Sequence, residues 1–324
     1  MAEIALPAAA VTRRRRPRLG YAMTLTAAAL FSFNGVVSKV ILTSGDVSAP
    51  RLTELRSTGA FLCLALVLAV AAPERLRVTR RELPLLVFYG ICGFALVQWL
   101  YFVAIERLPV GIALLIQFTA PVLVALWARF GRHEPVRKRV WAAIVLSLLG
   151  LSLVSEAWSG LSLDGMGVAA ALVAALALAV YFVVGEHGVG TRDPLSLVCF
   201  AFFVAALFWA LLLPWWSFPF GELGQSVSLL GNLADASLPV WALVLWMIVP
   251  GTIFPFALSI GALRHLPATI VGVVAMAEPP VAALAAYLWL DESLATFQIA
   301  GGLVVLIAIA LAQTARPVDT GRAD

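Results

Sequence analysis

The stretch Leu266-Pro267-Ala268-Thr269-Ile270-Val271-Gly272-Val273-Val274-Ala275-Met276-Ala277-Glu278-Pro279-Pro280-Val281-Ala282-Ala283-Leu284 decides what kind of molecule this is. From Pro267 to Leu290 only Glu278 is charged, over a length that suffices to cross a bilayer as a helix, for which about 20 mainly apolar residues are needed. A barrel strand would be about half as long and would alternate. Pro267 suits the first turn of a helix, where a missing N–H costs nothing. Pro279 and Pro280 stand in mid-run. Each removes a backbone donor, so the carbonyls around Ala275 and Met276 lose their helical partners beside the one buried carboxyl.

The rest of the chain has the same character. It has 324 residues, 62% hydrophobic and 12% charged, whereas a soluble domain runs about 45–50% apolar and about 25% charged. One water-soluble core could not hide that excess. This excludes a soluble enzyme, a disordered chain and a fibrous protein. Cys63, Cys92 and Cys199 lie within apolar runs without metal-type spacing, so neither a disulfide framework nor a metal site is expected.

Moving outward in both directions gives ten apolar runs, roughly 19–42, 52–72, 83–105, 108–130, 139–156, 164–186, 194–216, 238–263, 267–290 and 296–315. The first is too long for a signal-peptide core and is read as an uncleaved span. The cluster Arg13-Arg14-Arg15-Arg16-Pro17-Arg18 directly precedes it, the position of a cytoplasmic anchor and not of a nucleic-acid patch. With ten alternating spans, only Arg51 and Arg107 fall on the far side, and only Lys39 and Arg56 fall inside spans. The rest of the 22 basic residues share the N-terminal side. That bias predicts N-in, C-in and an even number of spans in a multi-pass protein of the plasma (inner) membrane.

A shift of 158 residues lays the fourth run on the ninth. Leu108-Pro109 meets Leu266-Pro267, Ile112 meets Ile270, Pro121 meets Pro279 and Glu134 meets Glu292; upstream, Gly93 meets Gly251 and Ala104 meets Ala262. Each unit then holds five spans, an odd number, so the second copy is inverted, an architecture used for transport. The expected organisation is a basic tail (1–18), a first five-helix unit (19–156), an outer connection (157–163), a second unit (164–315) and a short cytoplasmic tail (316–324).

The stretch Tyr101-Phe102-Val103-Ala104-Ile105-Glu106-Arg107-Leu108-Pro109, with Pro121 and Glu134, resembles the EamA repeat of the drug/metabolite transporter superfamily. The second copy, Gly261-Ala262-Leu263-Arg264-His265-Leu266-Pro267 with Glu278-Pro279 and Asp291-Glu292, resembles it more closely. The resemblance covers about 19–315. It implies an all-α, ten-span, 5+5 inverted-repeat transporter of small organic solutes, often an exporter of amino acids or related metabolites. It also implies a central cavity lined mainly by the third, fourth, eighth and ninth helices with parts of the first and sixth, while the fifth and tenth pack peripherally. The first copy departs at Thr119-Ala120-Pro121, where the second has an acidic residue before proline, so a symmetric acidic pair is not expected.

Polar side chains inside a bilayer are costly and face protein or water. Glu278 has two readings: it binds a substrate amine, a cation or a coupling proton, or it is a protonated, hydrogen-bonded group that holds the kink. Asn34, Gln98 and Gln117 are either zwitterion-binding amides or helix–helix glue. Gln98 and Tyr101 share a face, and Trp99 points elsewhere. Lys39, Glu54 and Arg56 cluster near the outer ends of the first two spans, as an outer gate or carboxylate-binding cation, or as an interfacial ion pair between Lys39 and Glu54. Gly93, Pro121, Pro250, Gly251, Pro255 and Pro279 are candidate bends. His133, His187 and His265 lie apart at membrane edges, and no hydrolase, metalloprotease or ATP-binding motif occurs. No enzyme and no cofactor are therefore expected. Besides a secondary transporter of small molecules, lipid flipping would require a cavity open sideways, and a non-transporting scaffold or receptor would require a dry, filled centre. The sequence leaves oligomeric state open.

Overall fold

A computed structural model describes residues 16–44, 47–105, 107–108, 110–155, 164–291 and 295–314. Arg13, Arg14, Arg15, Glu106, Pro109, Glu292, the connection 157–163 and the tail 316–324 lie outside the described residues. Helices dominate. They are α1 (Pro17–Ser44), α2 (Ala49–Ala71), α3 (Leu83–Phe88, Tyr89–Leu96 and Val97–Ile105 end to end), α4 (Val110–Gln117, Ala120–Leu126 and Trp127–Gly131) and α5 (Lys138–Val154). After the connection come α6 (Gly165–Thr191), α7 (Pro194–Leu212), α8 (Val240–Ile248, Val249–Ile253 and Phe254–Ala262), α9 (Ala268–Ala275 and Glu278–Leu290) and α10 (Thr296–Gln313).

Among the described residues, nine helices are long and apolar enough to cross a membrane. The remaining expected span corresponds to α5, which has 17 residues and sits at the lower limit for crossing. Side chains such as Leu66, Val70, Leu211 and Ile307 point outward and are more than half exposed, an arrangement suited to lipid. The buried face of α6 shows why helices approach closely in such a medium. Gly167, Ala170, Ala171, Ala174 and Ala175 recur at one-turn spacing on it, and small residues let backbones pack by contact where the hydrophobic effect gives no help. Asp164 caps its start by accepting from Gly167 N at 2.8 Å.

The helices that break do so at corresponding places. In α4, Phe118–Thr119 interrupts the helix just before Pro121; in α9, Met276–Ala277 does so just before Pro279. Both breaks tighten to three-residue hydrogen bonds, Thr119 N to Ile116 O at 3.0 Å and Ala277 N to Val274 O at 3.1 Å. Wide π turns occupy Tyr89–Leu96 of α3 and Val249–Ile253 of α8. In α8 the cause is local: Pro250 and Pro255 lack donors, Phe254 N reaches back to Val249 O, and the Thr252 hydroxyl donates to Met247 O at 2.8 Å.

The packing partners also come in exchanged sets. Helix α1 packs on α8 and α9, and α6 packs on α3 and α4; α2 packs on α7, α4 on α9, and α5 on α10. At the α5–α10 crossing, a methyl added to Gly301 would lie 2.5 Å from Gly150 O, so the two backbones nearly touch.

At one end of the bundle the connections are basic and tied together. Arg192 donates to Glu82 (3.0 Å), Arg75 O (2.8 Å), Arg77 O (2.9 Å) and Ser196 Oγ (2.8 Å), and its guanidinium covers the Phe200 ring. Arg132 pairs with Glu186 at 2.6 Å, and Glu186 also accepts from Ala268 N at 3.1 Å. Glu82 lies below the usual carboxylate range, chiefly because the Thr79 N–H donates to it, with Arg192 adding to the effect. His265 lies below its ordinary value through burial and the nearby Arg16 and Arg264 charges. Its Nδ1 accepts from Arg16 N at 3.4 Å. At the opposite end, the sequence suggests a partly mobile loop between α7 and α8. That connection is instead folded into short turns and an antiparallel pair, β1 (Ser226–Ser228) and β2 (Ser237–Pro239). It seats on α9 through Trp289 Nε1 to Leu229 O at 2.9 Å and Asn232 Nδ2 to Leu288 O at 3.1 Å.

Candidate functional site

The breaks and bends surround a central cavity of about 670 Å³. It extends along α1 from Thr24 to Leu42, about 27 Å at helical rise. Most of its wall belongs to the half of the molecule away from the basic end, where Lys39, Arg56, Tyr101, Ala286 and Gln298 lie. Toward the basic end it is floored by aromatic rings. Phe256 packs edge-on to Phe31 (4.9 Å between centroids) and to Tyr181 (5.9 Å), and it lies 4.8 Å from Phe94.

The residues expected to bind substrate come together here. Asn34, Gln98, Tyr101, Gln117 and Glu278 all line the cavity, as do Lys39, Arg56, Gly93 and Pro279. Trp99 is exposed away from it, as helical geometry requires. Pro121, Pro250, Gly251 and Pro255 shape the surrounding helices without lining the cavity. The outer trio divides. Glu54 does not reach the cavity; Arg51, one turn earlier on α2, holds its carboxylate at 2.7 Å, which corrects the expected Lys39–Glu54 pair. Arg51 is itself fixed by Pro214 O at 3.3 Å and Ser217 Oγ.

Glu278 begins the second piece of α9, and the Ser32 hydroxyl of α1 donates to its backbone carbonyl at 2.8 Å. Its carboxyl has no hydrogen-bond partner among the described residues, and it is the one carboxylate among them that lines the cavity. Arg56 is 9% exposed, and its Nε has no hydrogen-bond partner. Among the described residues no ion pair joins Arg56 to Glu278, although both line the cavity. Asn34 Oδ1 is likewise buried and unpartnered. Unpaired buried polar groups are expensive, and here they converge on one space. The backbone contributes too. Pro121 and Pro279 deprive the carbonyls of Gln117 and Ala275 of their α-helical donors, and both residues line the cavity.

Sequence reasoning missed Tyr181, Ser32 and Ser259 as lining residues. Tyr181 had a signal: it lies on the first helix of the second unit, where Asn34 lies on that of the first.

Comparison with known proteins gives concordant likenesses. The EamA-like transporter family matches residues 18–156 and again 165–314. The threonine/homoserine exporter RhtA of Escherichia coli (strain K12) is 29% identical over 272 residues, 83% of this chain and 82% of that protein. The uncharacterized inner membrane transporter YicL of Salmonella typhimurium (strain LT2) is 23% identical over 298 residues, 91% of this chain and 95% of its own. A solved crystal structure, 19% identical, superposes with a TM-score of 0.73 over 92% of this chain and 98% of that one, a likeness of fold.

Proposed function

The chain belongs to the EamA-like transporter family, and from that premise we propose that it exports amino acids or closely related small solutes by alternating access. It is a multi-pass integral membrane protein whose substrate is a small molecule. The finer reading has ten spans in two inverted five-helix units at about 19–156 and 164–315, with both termini in the cytosol. The matched breaks of α4 and α9, the exchanged packing partners and the concentration of cations at one end support it. The export direction and the amino-acid class rest on the likeness to the threonine/homoserine exporter.

The single observation that carries the reading is the 670 Å³ cavity and the polar side chains that line it. A scaffold would fill that space. No ATP-binding motif is present, which favours a secondary or passive transporter over a pump. Glu278 is the group assigned to coupling: its carboxylate holds either a proton or a substrate ammonium, and mutual exclusion at one site exchanges them across the membrane. Lys39 stands at the outer mouth.

The test is counterflow of labelled threonine and homoserine in proteoliposomes, with and without an imposed pH gradient. Saturable flux, accelerated when protons move against it, is expected. Absence of flux for every amino acid tried would remove the reading. Gradient-independent flux that survives unchanged in Glu278→Gln would remove the coupling role alone.

A further inference from the structure

We infer that Arg56 and Glu278 form a two-ended charge clamp, reading the carboxylate and the ammonium of one zwitterion at the same time; this rests on the export reading above. The two side chains arrive from different helices, α2 and α9, and line the same cavity. Among the described residues no ion pair joins them. Each keeps bonding capacity in reserve: Arg56 is nine-tenths buried with an unpartnered Nε, and the Glu278 carboxyl is without a hydrogen-bond partner among the described residues.

Charge balance makes this selective. With the Glu278 proton released, the pair is neutral, and a zwitterion is neutral as a molecule. Placed head to tail between them, it replaces one long attraction by two short ones, and no buried charge remains uncompensated. An amine alone would leave Arg56 unanswered, and a carboxylic acid alone would leave Glu278 unanswered. The freed carbonyls of Gln117 and Ala275 add acceptors near the ammonium end. The occupant is thus an α-amino acid with both termini free, its side chain lying toward the apolar wall.

Proteoliposomes carrying wild-type protein, loaded with labelled threonine, test this with two truncated competitors. One is 1-aminopropan-2-ol, which lacks the carboxylate; the other is 3-hydroxybutanoate, which lacks the amine. Each should compete at least about 30-fold more weakly than threonine, the usual scale for stranding one buried charge. The variants should then cross over. Arg56→Gln should lose threonine flux by a similar factor and prefer the amine; Glu278→Gln should lose it and prefer the acid. Arg56→Lys should retain part of the threonine flux. A packing role for either residue predicts no such crossing. Threonine flux with either fragment competing as well as threonine itself, or losses in the two variants without opposite changes in fragment preference, overturns the clamp and leaves the transporter reading standing. No amino-acid flux in the wild type overturns both.

Discussion

Gly251 on α8 lies directly against Asn34 on α1, so closely that a methyl at Gly251 would overlap the Asn34 side chain. The other unit repeats the arrangement: Gly93 on α3 faces the Tyr181 backbone on α6, with the Tyr89 ring 3.0 Å from any added Cβ. In each case a helix centred on the cavity is placed by what glycine leaves out. Gly251→Ala should therefore destabilise the protein by about 1–3 kcal/mol, the ordinary cost of overpacking. Asn34→Ala in the same chain should recover most of it. Thermal unfolding of the single and double variants in detergent gives the coupling; strictly additive losses would mean that the two residues do not press on each other.

Arg192, between α6 and α7, ties the connection between α2 and α3 to the start of α7 with a single guanidinium. Arg192→Ala should cost about 3–5 kcal/mol, since it strands Glu82 and two carbonyls together. Arg192→Lys should recover less than half, because an ammonium cannot supply the fork. Hydrogen exchange should rise over residues 72–82 in both variants. Unchanged protection there would remove the hub role.

Glu82 sets a pH dependence with a defined sign. Its folded carboxyl is held below the ordinary range by the Thr79 N–H and Arg192. It therefore contributes stability above its unfolded value, and that contribution is lost as the pH falls through the folded one. The difference in melting temperature between wild type and Glu82→Gln should be largest near neutrality and should vanish in acid. A difference that grows in acid would contradict the assignment.

The crossing of α5 and α10 offers a control away from the cavity. Gly301→Val drives a side chain into Gly150 O and the neighbouring backbone, and should lower stability by about 1–3 kcal/mol. Transport per folded molecule should stay near wild type, as measured by normalising proteoliposome flux to monodisperse protein. A selective loss of flux would assign this pair a part in the transport cycle.

Much of this was legible in residue order. Run lengths located the helices, the sidedness of arginine predicted their alternation, and paired prolines marked both breaks, because each of these signals is local or periodic. The cavity's polar set was legible for a related reason: a polar side chain in mid-membrane needs a partner or a cavity, so Asn34, Gln98, Gln117, Arg56 and Glu278 stood out. What escaped depends on crossings and loop paths that periodicity does not encode. Arg51 takes Glu54 because α2 starts beneath Ser217. Arg192 meets Arg75 and Arg77 across more than a hundred residues of chain. The strand pair after Phe220 is too short to leave a pattern. Counted from the prolines Pro50 and Pro194 at the starts of α2 and α7, the position matching Arg56 is Phe200, whose ring instead lies under Arg192, so the repeat offers no counterpart to Arg56.

The strand pair that seats on α9 has an optical consequence. Trp289 donates its indole N–H to Leu229 O, eleven residues beyond Glu278 on the same continuous helical piece. Any tilt of that piece relative to the surface connection alters the indole's polarity and hydrogen bonding, and with them its emission. The protein thus carries its own fluorophore at the far end of the lever whose near end is Glu278. A shift in tryptophan fluorescence on adding substrate, abolished by Trp289→Phe, would follow the cycle in real time without a label.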